Sequence, residues 1–246
     1  MSTAIVMEQI AEASPRLKAR VAGIFYLLCG MAYSFADGSV RGKLVVVGDA
    51  AATAHNVLAH ESLYRLGFAL DLISAVGYIT VTLLLYDMFR PVNRSISLLA
   101  AFFSLTGCTI QAFSTLFHLA PLVILGGEQY LSVFTLEQLQ ALALMFLKLR
   151  AQTSSVYMVF FGWYCILIGY LIFRSTFLPR ILGVFMAIAG LSYQLFLSPP
   201  LANYLFPFVV KPAGALGELS LILWLLVIGL NPQRWQEQAR AAGMCA

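Results

Sequence analysis

Residues 62–88 read SLYRLGFALDLISAVGYITVTLLLYDM. From Leu66 to Tyr86 the only charged residue is Asp71. A helix rises about 1.5 Å per residue, and about 20 mostly apolar residues cross the hydrocarbon layer of a bilayer. The stretch is long enough and apolar enough for that. It is too long for a strand and lacks the polar face of a soluble amphipathic helix.

Five further stretches have the same character. They run from about Val21 to Ala36, from about Ser95 to His118 (on to Leu125 past Pro121), from Val156 to Phe173, from Ile181 to Leu197, and from Ala213 to Leu230. The composition agrees. The chain has 246 residues, 61% hydrophobic and 11% charged, with a mean hydropathy of +0.86. Soluble domains carry about 25% charged residues, so an ordinary soluble enzyme and a disordered chain are excluded. The net charge is +4, but no Lys/Arg-rich run exists to track phosphates, so no nucleic-acid partner is expected. The expected fold is all-α: a polytopic transmembrane helix bundle, six membrane-spanning helices as three hairpins. One integral membrane domain is expected over 1–246, with an N-terminal segment 1–18, a bundle 19–231 and a tail 232–246.

Charge sets the expected orientation. Arg16, Lys18, Arg20, Arg90, Arg94, Arg174, Arg180, Arg234 and Arg240 cluster at one set of helix ends. By the positive-inside rule that side is cytoplasmic, which puts both termini there and the protein in the cell inner membrane. Residues 1–14 carry Glu8 and Glu12 instead of a basic leader, so no cleavable signal is expected. Cys29, Cys108 and Cys165 fall in apolar stretches and Cys245 in the tail, without a CxxC pair; they read as small apolar fillers.

The longer connections, about 37–60, 126–155 and 198–212, are assigned to the outer side. In the second, Thr135-Leu136-Glu137-Gln138 is a capping box. Leu139, Leu142, Phe146 and Leu149 then recur at helical spacing up to Lys148 and Arg150. This predicts an outer interfacial helix over 136–150. Asp49 is the expected cap of a lead-in helix over 49–61.

The first and fifth spans echo each other. Arg20, Gly23, Phe25, Gly30 and Tyr33 recur as Arg180, Gly183, Phe185, Gly190 and Tyr193 at identical offsets. Glycines one heptad apart permit close helix approach, and Gly162 and Gly169 repeat that spacing. The pattern predicts related hairpins at spans 1–2 and 5–6.

Ionisable groups inside a membrane are costly and mark function by default. Glu61 and Arg65 lie one turn apart, with Asp71 deeper. Tyr64, Asp71 and Tyr78 form a heptad-spaced line. Ser104, Cys108, Gln111, Thr115 and His118 fall on one face of the third span. Glu218 lies in the sixth. The expected site is an outward-facing polar cavity lined by Glu61, Arg65, Asp71, Gln111, His118 and Glu218. Two alternatives stand beside it: an ion-pair cluster of Arg65, Glu61 and Glu218 that only locks helices together, and for Asp71 either a neutral, hydrogen-bonded carboxyl or a proton or cation site. His55 and His60 are five residues apart, a poor spacing for shared ligation, so no metal and no cofactor are expected. No HExxH, GxSxG or phosphate loop occurs, so no catalytic residue is nominated.

Several segments carry a resemblance: Ala19-Arg20-Val21-Ala22-Gly23, Gly48-Asp49-Ala50-Ala51-Ala52-Thr53-Ala54, Glu61-Ser62-Leu63-Tyr64-Arg65-Leu66-Gly67, Arg90-Pro91-Val92, Phe177-Leu178-Pro179-Arg180-Ile181-Leu182-Gly183 and Gly217-Glu218-Leu219-Ser220. In order and spacing they resemble the bacterial integral membrane family labelled domain of unknown function 4386, over about residues 16–235. The resemblance implies a multi-pass membrane protein and no assigned reaction. It adds weight to Glu61, Arg65 and Glu218.

The partners expected are the lipid bilayer, a small-molecule or lipid ligand in the outer half, and a second copy of the chain. The leading functional expectation is a small-molecule or lipid-binding membrane protein, or a transporter. A membrane-embedded lipid-modifying enzyme and a structural or partner-binding subunit are the alternatives.

Overall fold

The computed structural model describes residues 14–244. The N-terminal stretch with Glu8 and Glu12, and Cys245, lie outside them. Among the described residues the chain is helical with no strand. Six helices are long and apolar enough to cross a membrane: α1 (Pro15–Leu44), α3 (Glu61–Phe89), α4 (Arg94–Leu125), α5 (Leu136–Arg174), α6 (Arg180–Leu197) and α7 (Pro199–Val227). The short α2 (Ala50–Ala59) and α8 (Pro232–Ala241) are amphipathic or polar additions. The all-α, six-span bundle is thus the architecture observed.

Three boundaries differ from the sequence reading. The helix expected on the outer interface over 136–150 is not separate: it is the first part of α5, which runs unbroken for 39 residues. In sequence the polar run Gln152-Thr153-Ser154-Ser155 separates that helix from the expected fourth span. Instead Thr153 donates to the Leu149 carbonyl at 2.9 Å and Ser155 to that of Ala151 at 3.3 Å, so the hydroxyls satisfy themselves on the helix. No Gly or Pro interrupts this part of α5.

The first span does not end near Ala36. A π-helical turn over Phe35–Arg41 carries it on to Leu44. The last span starts at Pro199 instead of Ala213. Pro199 and Pro200 occupy first-turn positions, where a missing N–H costs nothing. Further along, Pro207 and Pro212 stand near the starts of wide and regular turns, including π segments over Phe206–Val210 and Ala215–Leu219.

The expected caps are present. Asp49 Oδ1 accepts from the Ala52 N–H at 2.8 Å. Thr135 N donates to Gln138 Oε1 at 2.9 Å, and Gln138 N to Thr135 Oγ1 at 3.3 Å, a reciprocal capping box.

The chain forms two compact units. The first comprises the residues through Leu27, Tyr78–Thr106 and the chain from Met158 on. Its tightest packing is a glycine seam between α5 and α6. A Cβ on Gly169 would stand 2.7 Å from the Gly183 carbonyl oxygen, and one on Gly190 would stand 2.7 Å from the Ile166 nitrogen. Backbones approach this closely only where side chains are absent. Thr82 and Ser104 hydroxyls join α3 to α4 at 2.6 Å, and Lys18 pairs with Asp87 at 2.7 Å.

The second unit comprises Leu28–Gly77 and Gly107–Tyr157. Here glycines of α3 admit α1: Gly67 faces Val40 and Gly77 faces Cys29, each too close for a Cβ. Ser74 Oγ donates to the Cys29 carbonyl at 3.0 Å. Val40, Leu44, Val57, Tyr64, Leu122 and Leu147 form its apolar core. Large apolar side chains such as Ile73 and Val76 of α3 are exposed, as a lipid-facing surface requires.

The sequence echo is used unequally. Gly190 is locked against α5, whereas a Cβ on Gly30 would meet nothing within 4 Å.

Candidate functional site

The second unit holds a buried charge centre. Asp71 on α3 has no solvent exposure. Its Oδ2 accepts from Arg41 Nη1 at 2.6 Å and from Arg150 Nη2 at 2.7 Å. Both arginine side chains are themselves buried. Arg41 comes from the π turn of α1, and its Nε and Nη2 reach Asp37 Oδ1 at 3.1 and 2.9 Å. The wide turn places Asp37 and Arg41 one above the other and aims the guanidinium inward. The Asp37 side chain stays largely exposed at the rim.

Two guanidinium groups share the fully buried Asp71 carboxylate, and Asp37 at the rim supplies the second negative charge, so the four groups balance. Asp71 Oδ1 and Arg150 Nε are buried and make no hydrogen bond. Buried polar atoms nearly always have partners, so the centre has room in its bonding for one more polar group. Tyr33, Tyr64 and His118 lie within electrostatic reach of the arginines.

His118 is wholly buried on α4. Its Nε2 lies 3.0 Å from the Tyr64 carbonyl oxygen, while the Tyr64 hydroxyl donates to the His118 carbonyl at 2.6 Å. The two rings stack at 4.1 Å. His118 Nδ1 and Gln111 Nε2 are buried without a hydrogen bond. The polar face read on the third span is real: Ser104, Cys108, Gln111, Thr115 and His118 are all buried, as are Tyr64, Asp71 and Tyr78 on α3.

Glu61 and Arg65 are placed differently. Arg65 Nε donates to Glu61 Oε1 at 2.7 Å, but both side chains are about half exposed. Among the described residues of the second unit neither pairs with another charge. An exposed pair of this kind contributes little.

Glu218 belongs to the first unit, on the π segment Ala215–Leu219 of α7. Tyr26 of α1 donates to its Oε2 at 3.1 Å, and the Tyr193 hydroxyl of α6 donates to Oε1. Tyr26 packs edge-on to Tyr78 at 5.2 Å, Tyr78 to Phe161 at 5.6 Å, and Phe161 lies 5.6 Å from Tyr193. Among the described residues no cation lies within ion-pair distance of Glu218. Its bonds come from phenols alone.

Sequence reading missed Arg41, Arg150 and Tyr26 as site residues. Both arginines fall in the connections assigned to the outer side, Arg150 at the end of the helix expected over 136–150. One signal was available: Asp71 had no cation on its own helix, so a basic residue elsewhere had to meet it. Among the described residues no group of three or more His, Cys, Asp or Glu is disposed to hold a metal ion. His60 turns its Nδ1 to its own helix at the Asn56 carbonyl, 3.1 Å away.

Fold and polar interior together define a class: a polytopic α-helical membrane protein with ionisable groups inside its spans. The chain belongs to the family described as Domain of unknown function (DUF4386), whose model matches residues 21–229. A protein of Archaeoglobus fulgidus (strain ATCC 49558 / DSM 4304 / JCM 9628 / NBRC 100126 / VC-16), named "Uncharacterized protein", is 24% identical over 151 residues, 61% of this chain and 76% of that protein. No solved structure matches the chain significantly.

Proposed function

We propose that this multi-pass membrane protein binds a small molecule or a lipid, in the manner of a carrier, with its ligand centre at Arg41, Asp71 and Arg150. One observation carries the reading. Two arginines and an aspartate are buried within membrane-spanning helices, with Asp71 Oδ1 and Arg150 Nε left unpaired. Burying such charges costs several kcal/mol per ion, in order-of-magnitude terms, and ionisable residues at this depth usually serve a pathway or a ligand. The two-armed guanidinium geometry suits a carboxylate or phosphate. Gln111 and His118 supply further unpaired polar atoms in the same unit. Glu61 and Arg65, exposed near the start of α3, would lie at the entrance to an outward-facing cavity.

The π turns support a functional reading of both centres. Arg41 and Glu218, which anchor separate polar clusters, each stand on a π segment, and such segments recur at functional sites. The distribution of arginines supports cytoplasmic termini in an inner membrane.

A structural reading has its own support, since short bonds from both arginines converge on Asp71 Oδ2. Thermal-shift screening of the purified protein separates the two. Carboxylates and phosphate esters are expected to raise the melting temperature of the native protein, and Arg150→Gln is expected to abolish that response. If no ligand class shifts the native protein and the variant is merely less stable, the centre is a structural clasp.

A further inference from the structure

The first unit contains a concave site whose lining includes no residue of either buried centre. It lies where α5 ends at Arg174 and α6 begins at Arg180, with α8 laid beside the turn. The cavity is about 660 Å³ and is lined by Arg174, Ser175, Thr176, Arg180, Arg234 and Glu237, among others. Three guanidinium groups therefore share the cavity with one carboxylate. Among the described residues none of the three makes an ion pair. Arg180 lies over the Phe173 ring at 5.6 Å, and Arg234 Nη1 reaches only the Thr176 carbonyl at 3.4 Å.

The walls are held in place. Thr176 N and Oγ1 both donate to Gln238 Oε1 at 3.0 Å, which ties α8 to the α5–α6 turn. Trp235 Nε1 donates to the Met88 carbonyl at 3.0 Å. Arg180 brings to the cavity the positive end of the α6 dipole. Arg174 closes one helix long and apolar enough to span and Arg180 opens the next, and arginines at such helix ends suit headgroup level. Phe173 and Ile181, adjoining the two arginines, are exposed apolar side chains. They offer hydrocarbon contact directly beside the cationic pocket.

We propose that this pocket binds a phosphate group, and that the phosphate is carried by an anionic phospholipid. Unpaired arginines recognise phosphate by two-pronged, charge-assisted hydrogen bonds. Basic pockets at the ends of membrane helices are suited to anionic headgroups. The exposed Phe173 and Ile181 favour a lipid over a soluble phosphate ester, because acyl chains can lie against them.

The test uses the purified full-length protein in detergent, titrated separately with phosphatidylglycerol, phosphatidylcholine, glycerol phosphate and inorganic phosphate. Bound lipid is read by native mass spectrometry and stability by thermal melting. Phosphatidylglycerol is expected to be retained and to raise the melting temperature, and phosphatidylcholine is not. Arg180→Gln and Arg174→Gln, each at an exposed position, are expected to weaken phosphatidylglycerol binding about tenfold, the loss of one charged hydrogen-bond donor pair. Arg94→Gln removes the same charge from another helix end and is expected to change binding little. Equal retention of the two lipids, or an equal loss in Arg94→Gln, overturns the site. Stabilisation by inorganic phosphate or glycerol phosphate that Arg180→Gln abolishes and Arg150→Gln does not, without any by phosphatidylglycerol, overturns the lipid assignment.

Discussion

Arg150 and Asp71, 79 residues apart in sequence, meet at 2.7 Å with both side chains buried. Arg41 reaches the same carboxylate oxygen at 2.6 Å. One aspartate thereby joins α1, α3 and α5 within the second unit.

Removing the shared anion strands Arg150 and leaves Arg41 with Asp37 alone. Asp71→Asn is expected to destabilise the protein by about 3–5 kcal/mol, the usual cost of breaking a buried ion pair from one side. The double variant Asp71→Asn/Arg150→Gln is expected to lose less than the sum of the two single changes, because it strands fewer charges. Thermal melts of the purified variants in one detergent measure both. Strict additivity would show that the pair is not coupled.

The glycines of the two echoing spans should respond in opposite ways. Gly190→Ala places a Cβ 2.7 Å from the Ile166 backbone nitrogen, which cannot yield as a flexible side chain would. A loss of about 1–3 kcal/mol is expected, as for overpacking. Gly30→Ala meets open space and gains helix propensity, so stability should hold or rise by up to about 1 kcal/mol. The same melts compare them.

Glu218 depends on its phenols. Tyr193→Phe and Tyr26→Phe each remove a donor to a carboxylate, and each is expected to cost about 1.5–3 kcal/mol. Glu218→Gln keeps the shape and acceptor capacity of one oxygen, and is expected to be tolerated better than either tyrosine change. Melting temperatures ranked in the reverse order would mean that the charge, not the hydrogen bonding, holds this cluster.

Proposed topology is open to labelling. Asn93, in the turn before α4, and Val133, before α5, are exposed and separated by one span. In a background lacking Cys245, Asn93→Cys is expected to react with an impermeant thiol reagent only from the cytoplasm, and Val133→Cys only from the other side. The remaining cysteines are buried and should stay silent. Reaction of both positions from one compartment excludes the arrangement.

Much of this protein was legible before folding was considered. Leu66–Tyr86 interrupted only by Asp71 already demands a membrane helix, since hydrocarbon admits no unpaired backbone and a helix pairs its own. Spacing alone placed Gln111 and His118 on one face of α4 and Tyr64 and Asp71 on one line of α3, because a helix period is fixed by local geometry. The caps at Asp49 and Thr135 were equally local. The partners of Asp71 were not legible. Arg41 depends on a π turn that rescues a segment containing Gly38, and Arg150 on an α5 that runs through four polar residues. Those outcomes are decided where neighbouring helices and side-chain hydroxyls supply what the local sequence lacks. Periodicity and hydropathy therefore determined which segments span and which faces turn inward, since both are properties of one helix in lipid. Only the tertiary structure decided which charges meet, since that depends on contacts between helices distant in sequence.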